Sequence, residues 1–230
     1  MYAGYAPPVT TLQTLAGRRL SADEVRSQFP GAWWHEVLDT MRTPPPIVVV
    51  DGDLRVDDLE PDEGPWALIV RGDLEAAGDL DFSTGDYEVS LLVVLGSVRA
   101  RNLRFAKGAT CVIAGDLEVR GLVVGRYGDE SARLEVGGDL RARALLLDHV
   151  TGAEAASIDA IVVASEGWQL PIDAPSQDEE RRIYAPALLD EDGGLDLEAA
   201  WDAATRGASI FLPDAEARLR RPAPWRRRVR

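Results

Sequence analysis

The sequence predicts a mainly β fold, a right-handed parallel β-helix with helical N- and C-terminal flanks, and two observations carry that prediction. The first is a phrase of alternating apolar residues around a glycine, usually followed by Asp-Leu. It occurs five times, over 48–56, 68–76, 92–100, 111–119 and 134–142. Its glycines stand at 52, 72, 96, 115 and 138, giving steps of 20, 24, 19 and 23 residues, each close to one coil of a β-solenoid with corners of variable length. The second observation is phase. Counted from the glycine, the apolar residues fall four and two positions before it and two and four after it, the period-two pattern of strands with one face buried.

Two inward ladders follow from that phase: Val50, Val70, Val94, Ile113 and Val136 in one, and Leu54, Leu74, Val98, Leu117 and Leu140 in the next. A leucine seven residues after the glycine, as Leu59, Leu103, Leu122 and Leu145, extends the ladders to a further strand. In the second copy Leu80 comes one residue later, which reads as an insertion at a corner. Arg55, Glu75, Arg99, Glu118 and Arg141 lie between inward residues and alternate in sign, so they are expected in solvent as a stacked column. Opposite-charge neighbours of this kind contribute about 0.2–1 kcal/mol each. They tune register, whereas burial of the ladders, at roughly 25 cal/mol per Å², holds the fold. A leucine-rich repeat has a similar period, but its Asn or Cys at the ladder turn is absent and the alternation here outruns its short strand.

The recurring Gly-Asp is read as corner chemistry. Glycine supplies a positive φ or a close backbone approach, and the following Asp bonds a nearby backbone N–H. Asp53, Asp73, Asp116 and Asp139 should therefore line one edge of the coil. A calcium-binding nonapeptide repeat would need Gly-Gly-x-Gly-x-Asp every nine residues, and that pattern does not occur, so no metal is expected.

The flanks carry helix signals. Ser21 with Glu24 is a capping box ahead of Val25 and Phe29, and Pro30-Gly31 ends that helix. A second helix over 32–41 places Trp34, Leu38 and Met41 on one face before the rigid stop Pro44-Pro45-Pro46. Both are expected to cover an open end of the solenoid, with Trp33-Trp34 as a binding anchor in the alternative reading. After the last phrase, 144–150 and 158–164 read as strands and 171–180 as a polar loop. A helix over 195–204 then follows with Leu197, Ala200, Trp201 and Ala204 inward, ended by Gly207 and succeeded by a short strand over 209–212. The expected organisation is thus a helical N-terminal cap (1–43), the solenoid (44–167), a C-terminal cap of loop, helix and short strand (168–217) and an Arg-rich tail (218–230).

Net charge is −14, and its distribution is uneven. Residues 218–230 hold seven arginines and no acid, so the body carries 18 basic against 39 acidic residues, or −21. An acidic body repels nucleic acid and favours basic partners, and the tail reads as a solvated terminus that folds back on it. The single cysteine, Cys111, occupies an inward position and reads as a small buried hydrophobe. There is no apolar run of eighteen residues and no charged N-terminal region followed by an apolar stretch, so a cytoplasmic protein without membrane contact is expected.

Neither histidine stands in a metal-ligand spacing, and His149 beside Asp148 on a strand would point to the opposite face, so that pair reads as a turn or a partner contact. Phosphate-loop and nucleophile-elbow motifs are missing, and no catalytic residue or cofactor is expected.

The corners Val70-Arg71-Gly72-Asp73-Leu74 and Val94-Leu95-Gly96-Ser97-Val98 resemble those of the bactofilins, polymer-forming cytoskeletal β-helix proteins of bacteria, and the resemblance spans roughly 47–147. It implies end-to-end polymers with disordered tails. The flanks here read instead as helical and aromatic, and capped ends stop stacking, so a monomer or small oligomer is expected. Three functional classes remain. The first is a non-enzymatic acidic binding protein for a basic protein partner, such as an immunity protein occluding a toxin domain, with Asp57, Asp58, Glu60, Asp62 and Glu63 of the first inter-coil segment as contacts. A bactofilin-like structural polymer is the second, and a carbohydrate-active β-helix enzyme the third.

Overall fold

A computed structural model describes residues 10–42, 45–61, 64–127, 132–148, 151–164 and 180–219. Strands β1 (Thr10–Thr11) and β2 (Arg18–Leu20) and helices α1 (Ala22–Gln28) and α2 (His35–Thr40) precede the solenoid. Its coils are β3 (Ile47–Val50), β4 (Leu54–Val56) and β5 (Leu59–Glu60); β6 (Ala67–Val70), β7 (Leu74–Ala76) and β8 (Asp79–Ser83); β9 (Val89–Val94), β10 (Val98–Ala100) and β11 (Asn102–Ala106); and β12 (Gly108–Ile113), β13 (Leu117–Val119) and β14 (Leu122–Arg126). Then β15 (Arg133–Leu147) runs round all three faces as one strand, and β16 (Gly152–Ala164) retraces it. Helices α3 (Leu197–Thr205) and α4 (Ala215–Leu219) complete the described chain. With 46% strand and 17% helix, this is the mainly β parallel solenoid of about five turns that the repeat predicts.

Coil stacking follows the phrase. Val50, Val70, Val94, Ile113 and Val136 are successive register partners, and so are Leu54, Leu74, Val98, Leu117 and Leu140. All ten belong to the interior cluster. The third-face ladder is Leu59, Leu80, Leu103, Val123 and Leu145, which corrects Leu122 to Val123. Leu122 faces outward instead, because the corner before β14 is one residue longer than the neighbouring one. Cys111 is fully buried between Leu92 and Leu134, and burial raises its thiol pKa, so it behaves as a core side chain. On the second face Arg55 pairs with Glu75 at 3.3 Å and Arg99 with Glu118 at 3.5 Å, while Arg141 turns to Asp139 and Asp116. These pairs are exposed and contribute little beyond register.

The Gly-Asp corner is a polar ladder between coils. Asp53 Oδ1 accepts the Asp73 N–H at 3.0 Å, Asp73 Oδ1 the Ser97 N–H at 2.8 Å, Ser97 Oγ the Asp116 N–H at 3.1 Å and Asp116 Oδ1 the Asp139 N–H at 2.8 Å. Each side chain satisfies a donor one coil on, where the turning strand cannot. Of the five phrase glycines, Gly52 alone has a positive φ, +99°. The other four are needed for space: a Cβ at Gly96 would lie 2.2 Å from Asp73 Oδ1 and 2.8 Å from the Gly72 carbonyl carbon.

The flanks cover faces, which corrects the expectation that helices close the ends. Val25, Trp34, Val37, Leu38 and Met41 pack on the outward residues Ile47, Val49, Ala67, Ile69, Leu91 and Val93 of the first face. Tyr184, Leu188, Trp201, Ile210 and Phe211 pack on Leu122, Val124, Ala144, Leu146 and Ile161 of the third. Each helix lies where both faces of a strand are apolar, so that neither side is left in water. Two of the three faces of the first coil are covered by strands: β2 pairs antiparallel with β3, β1 pairs parallel with β5, and Leu12 and Leu15 between them join the interior, whereas β4 pairs, among the described residues, with β7 alone. At the other end β16 pairs with β15 and, among the described residues, with no further strand.

The Ser21 capping box forms as the sequence predicts, with Glu24 accepting the Ser21 N–H at 2.8 Å and Ser21 Oγ capping the Glu24 N–H. Helix α2 is shorter than 32–41, beginning at His35 after Trp34. Asp196 caps α3 by accepting from Glu198 and Ala199. The strand expected over 209–212 is reduced to a single bridge between Phe211 and Tyr184.

Candidate functional site

The half-covering of the third face creates the site. Its outward residues are apolar in the last coils, beneath α3, and largely charged in the first three, which α3 borders through Arg104 of the third coil. There a groove of about 320 Å³ is lined by Asp58, Glu60, Asp79, Asp81, Arg101 and Arg104, with Trp201 and Thr205 of α3 as one wall. Two of the sequence-predicted contacts, Asp58 and Glu60, stand in it. Asp57 is exposed at the preceding corner, and its carbonyl accepts the Gly78 N–H at 2.7 Å. Asp62 and Glu63 lie outside the described residues, as do His149 and the Arg-rich tail from Arg220 onward.

The four carboxylates have different tasks. Asp79 holds Arg101 through both oxygens and also accepts from Asn102 Nδ2 at 2.8 Å. Asp81 holds Arg104, whose guanidinium lies 4.9 Å from the Trp201 ring centroid and reaches Glu198 at 3.0 Å. Burial works against the Arg104 charge, but the Asp81 hydrogen bond and the Asp81 and Glu198 charges outweigh it and raise the pKa. Asp58 is half structural: its Oδ1 accepts the Asp79 N–H at 2.6 Å, in the space that a side chain on Gly78 would occupy. Glu60 is exposed at the end of β5 and, among the described residues, makes no ion pair. Four carboxylates against two guanidiniums leave this groove negative, with Glu60 exposed and Asp58 half-buried.

The sequence reading missed Asp79, Asp81 and Trp201. The two aspartates belong to the next coil, and α3 comes more than a hundred residues later, so the signal lay in stacking Leu59 on Leu80 and reading outward from that pair. Asp148, the residue paired with His149 in the sequence reading, makes one turn contact, accepting from the Thr151 hydroxyl at 2.9 Å, and one contact between coils, accepting from the Tyr127 N–H. His35 packs edge-on against Trp34, and its pKa is lowered, first by burial and then by Arg26. Among the described residues no three His, Cys, Asp or Glu side chains converge as a metal-ligand set, and no helix is long and apolar enough to cross a membrane. Comparison with family models, with curated proteins and with solved structures returns no match for this chain.

Proposed function

We propose that the chain is a non-enzymatic acidic binding protein that engages a basic protein partner in the cytoplasm, as an immunity protein engages a toxin domain. The observation that carries this reading is the negative groove of the third face, where Glu60 and Asp58 stand beside an aromatic wall on a body of charge −21. A rigid acidic surface steers a basic partner over about a Debye length, roughly 8–10 Å at physiological salt, and so acts first on the on-rate.

Surface plasmon resonance with a panel of basic and neutral small proteins tests the reading. Basic members should bind, with an on-rate that falls as salt rises. Asp57→Lys with Glu60→Lys should slow association about tenfold, and Asp58→Asn, which keeps the acceptor for Asp79, should slow it less. Binding that is indifferent to salt and to both variants would reduce the acidic surface to a solubility device.

A structural polymer is the second reading, favoured by β16, which among the described residues pairs with no strand beyond β15. The antiparallel β2 and the short β1, laid over two faces of the first coil, oppose head-to-tail growth, so assembly through β16 stops at a dimer. Sedimentation of the full chain should show monomer or dimer at high concentration; long filaments would reverse the order of the two readings.

A further inference from the structure

The first face is also half covered, at the opposite end of the solenoid. Helices α1 and α2 reach the first three coils, and beyond them a groove of about 530 Å³ runs past Trp33 and Trp34 over Val93, Leu95 and Val112 to Glu135 and Glu154. Its floor is apolar near the helices and acidic at the far end. Glu135 and Glu154 are register partners on β15 and β16, hence about 4.8 Å apart at the backbone. Like charges directly opposite are destabilising. The Glu135 pKa is raised, by burial first and by Glu154 in addition, against the pull of Arg133.

Beside this pair, Trp33 is 41% exposed, whereas the other described tryptophans, Trp34, Trp66 and Trp201, are buried. The Arg133 guanidinium lies 4.6 Å from its ring centroid and 3.3 Å from a Glu135 oxygen. One guanidinium is therefore already held by indole and carboxylate together, while Glu154 is exposed and, among the described residues, makes no ion pair. A flat guanidinium can stack on an aromatic face and bond a carboxylate at the same time; a lysine ammonium offers a point charge without the plane.

Building on the basic-partner reading, we propose that this groove is a second contact site, taking an arginine side chain of the partner on Glu154 and the exposed part of Trp33, beside the Arg133 that already holds Glu135, with the neighbouring apolar residue of the partner over Val112 and Leu95. The occupant is an extended segment in which arginine alternates with an aliphatic residue.

The test uses the full chain and three labelled pentapeptides, Leu-Xaa-Leu-Xaa-Leu with arginine, lysine or citrulline at Xaa, read by fluorescence anisotropy. The arginine peptide should bind more tightly than the lysine peptide, and more than about tenfold more tightly than the citrulline peptide. Trp33→Ala and Glu154→Gln should each weaken it about tenfold. Glu154→Gln should at the same time leave the thermal midpoint unchanged or raise it, since it removes a like-charge neighbour, whereas a purely structural residue would lower both. Wild-type affinity in Trp33→Ala and Glu154→Gln overturns the proposal. If the arginine peptide binds but is lost in Glu60→Gln instead, the proposal fails and the basic-partner reading stands through the third-face groove. If neither that peptide nor poly-L-arginine binds the wild-type chain, both fail.

Discussion

Val94→Asp is expected to abolish the folded state at room temperature. Val94 is fully buried in the third coil, stacked between Val70 and Ile113, with Leu92 and Val98 as inward neighbours along its own coil. These stacked and flanking neighbours are all aliphatic, so a carboxylate among them must be desolvated without a cation or protonated at a cost. A loss above about 4 kcal/mol belongs to this class of substitution, which is much of the stability of an ordinary domain. The position makes it worse: in a stacked array each coil is held chiefly by its neighbours, and the damage falls in the middle. Val94→Ala should cost about 2 kcal/mol, and Leu95→Asp, one residue on and 41% exposed, under about 1 kcal/mol. Urea unfolding followed by far-ultraviolet circular dichroism ranks the three, and near-equal midpoints for Val94→Asp and Leu95→Asp would contradict the inward assignment.

That contrast between adjacent residues is what made the coils readable. The second-face ladder comes out residue for residue because its strands meet water on one side and alternate, and the first because it stands two residues before the phrase glycine, although both faces of its strands are dry. Farther from that glycine, phase is lost where both faces are dry. Leu122, Val123 and Val124 form an unbroken apolar run because the C-terminal segment packs on the outside, and a count from the glycine then selects Leu122 for an inward place that Val123 holds. The second half of β16 matches the strand read over 158–164, while its first half escaped the reading for the opposite reason. Ala153, Ala155 and Ser157 are too small to signal a strand, and the phrase glycine is deleted where Val136–Asp139 pairs with Ala155–Ser157.

The placement of the helices was legible but went unread. The outward residue three before the phrase glycine is Val49, Ile69, Val93 and Val112 in the first four copies and Glu135 in the fifth, and apolar outward positions mark a covered face. The acidic grooves were less accessible to sequence. Asp58 with Asp79, and Glu135 with Glu154, are near 20 residues apart in the chain and meet only through register. Nor does composition say that one oxygen of Asp58 is committed to the Asp79 N–H, so counting the first-loop acids overstated the charge that a partner can reach.

Gly96→Ala should cost about 3 kcal/mol, more than the same change at Gly52, and the difference separates the two uses of glycine in one repeat. At Gly52 the backbone has φ +99° and a Cβ would meet nothing within 4 Å, so the substitution costs backbone strain alone, about 1–2 kcal/mol. At Gly96 the conformation is ordinary, but the added carbon would sit 2.2 Å from Asp73 Oδ1 and 2.7 Å from the Gly72 carbonyl oxygen. The carboxylate could swing away, at the loss of its bond to the Ser97 N–H. The Gly72 carbonyl cannot, because it accepts the Gly96 N–H at 3.1 Å and sets the spacing of the two coils. Adding Asp73→Ala to Gly96→Ala should therefore recover part of the loss and leave the backbone conflict in place, a coupling that a double-mutant cycle of denaturant midpoints measures. Equal costs at Gly52 and Gly96, or full recovery in the double variant, would mean that the coils part freely at this corner and that the aspartate ladder follows the stacking without fixing it.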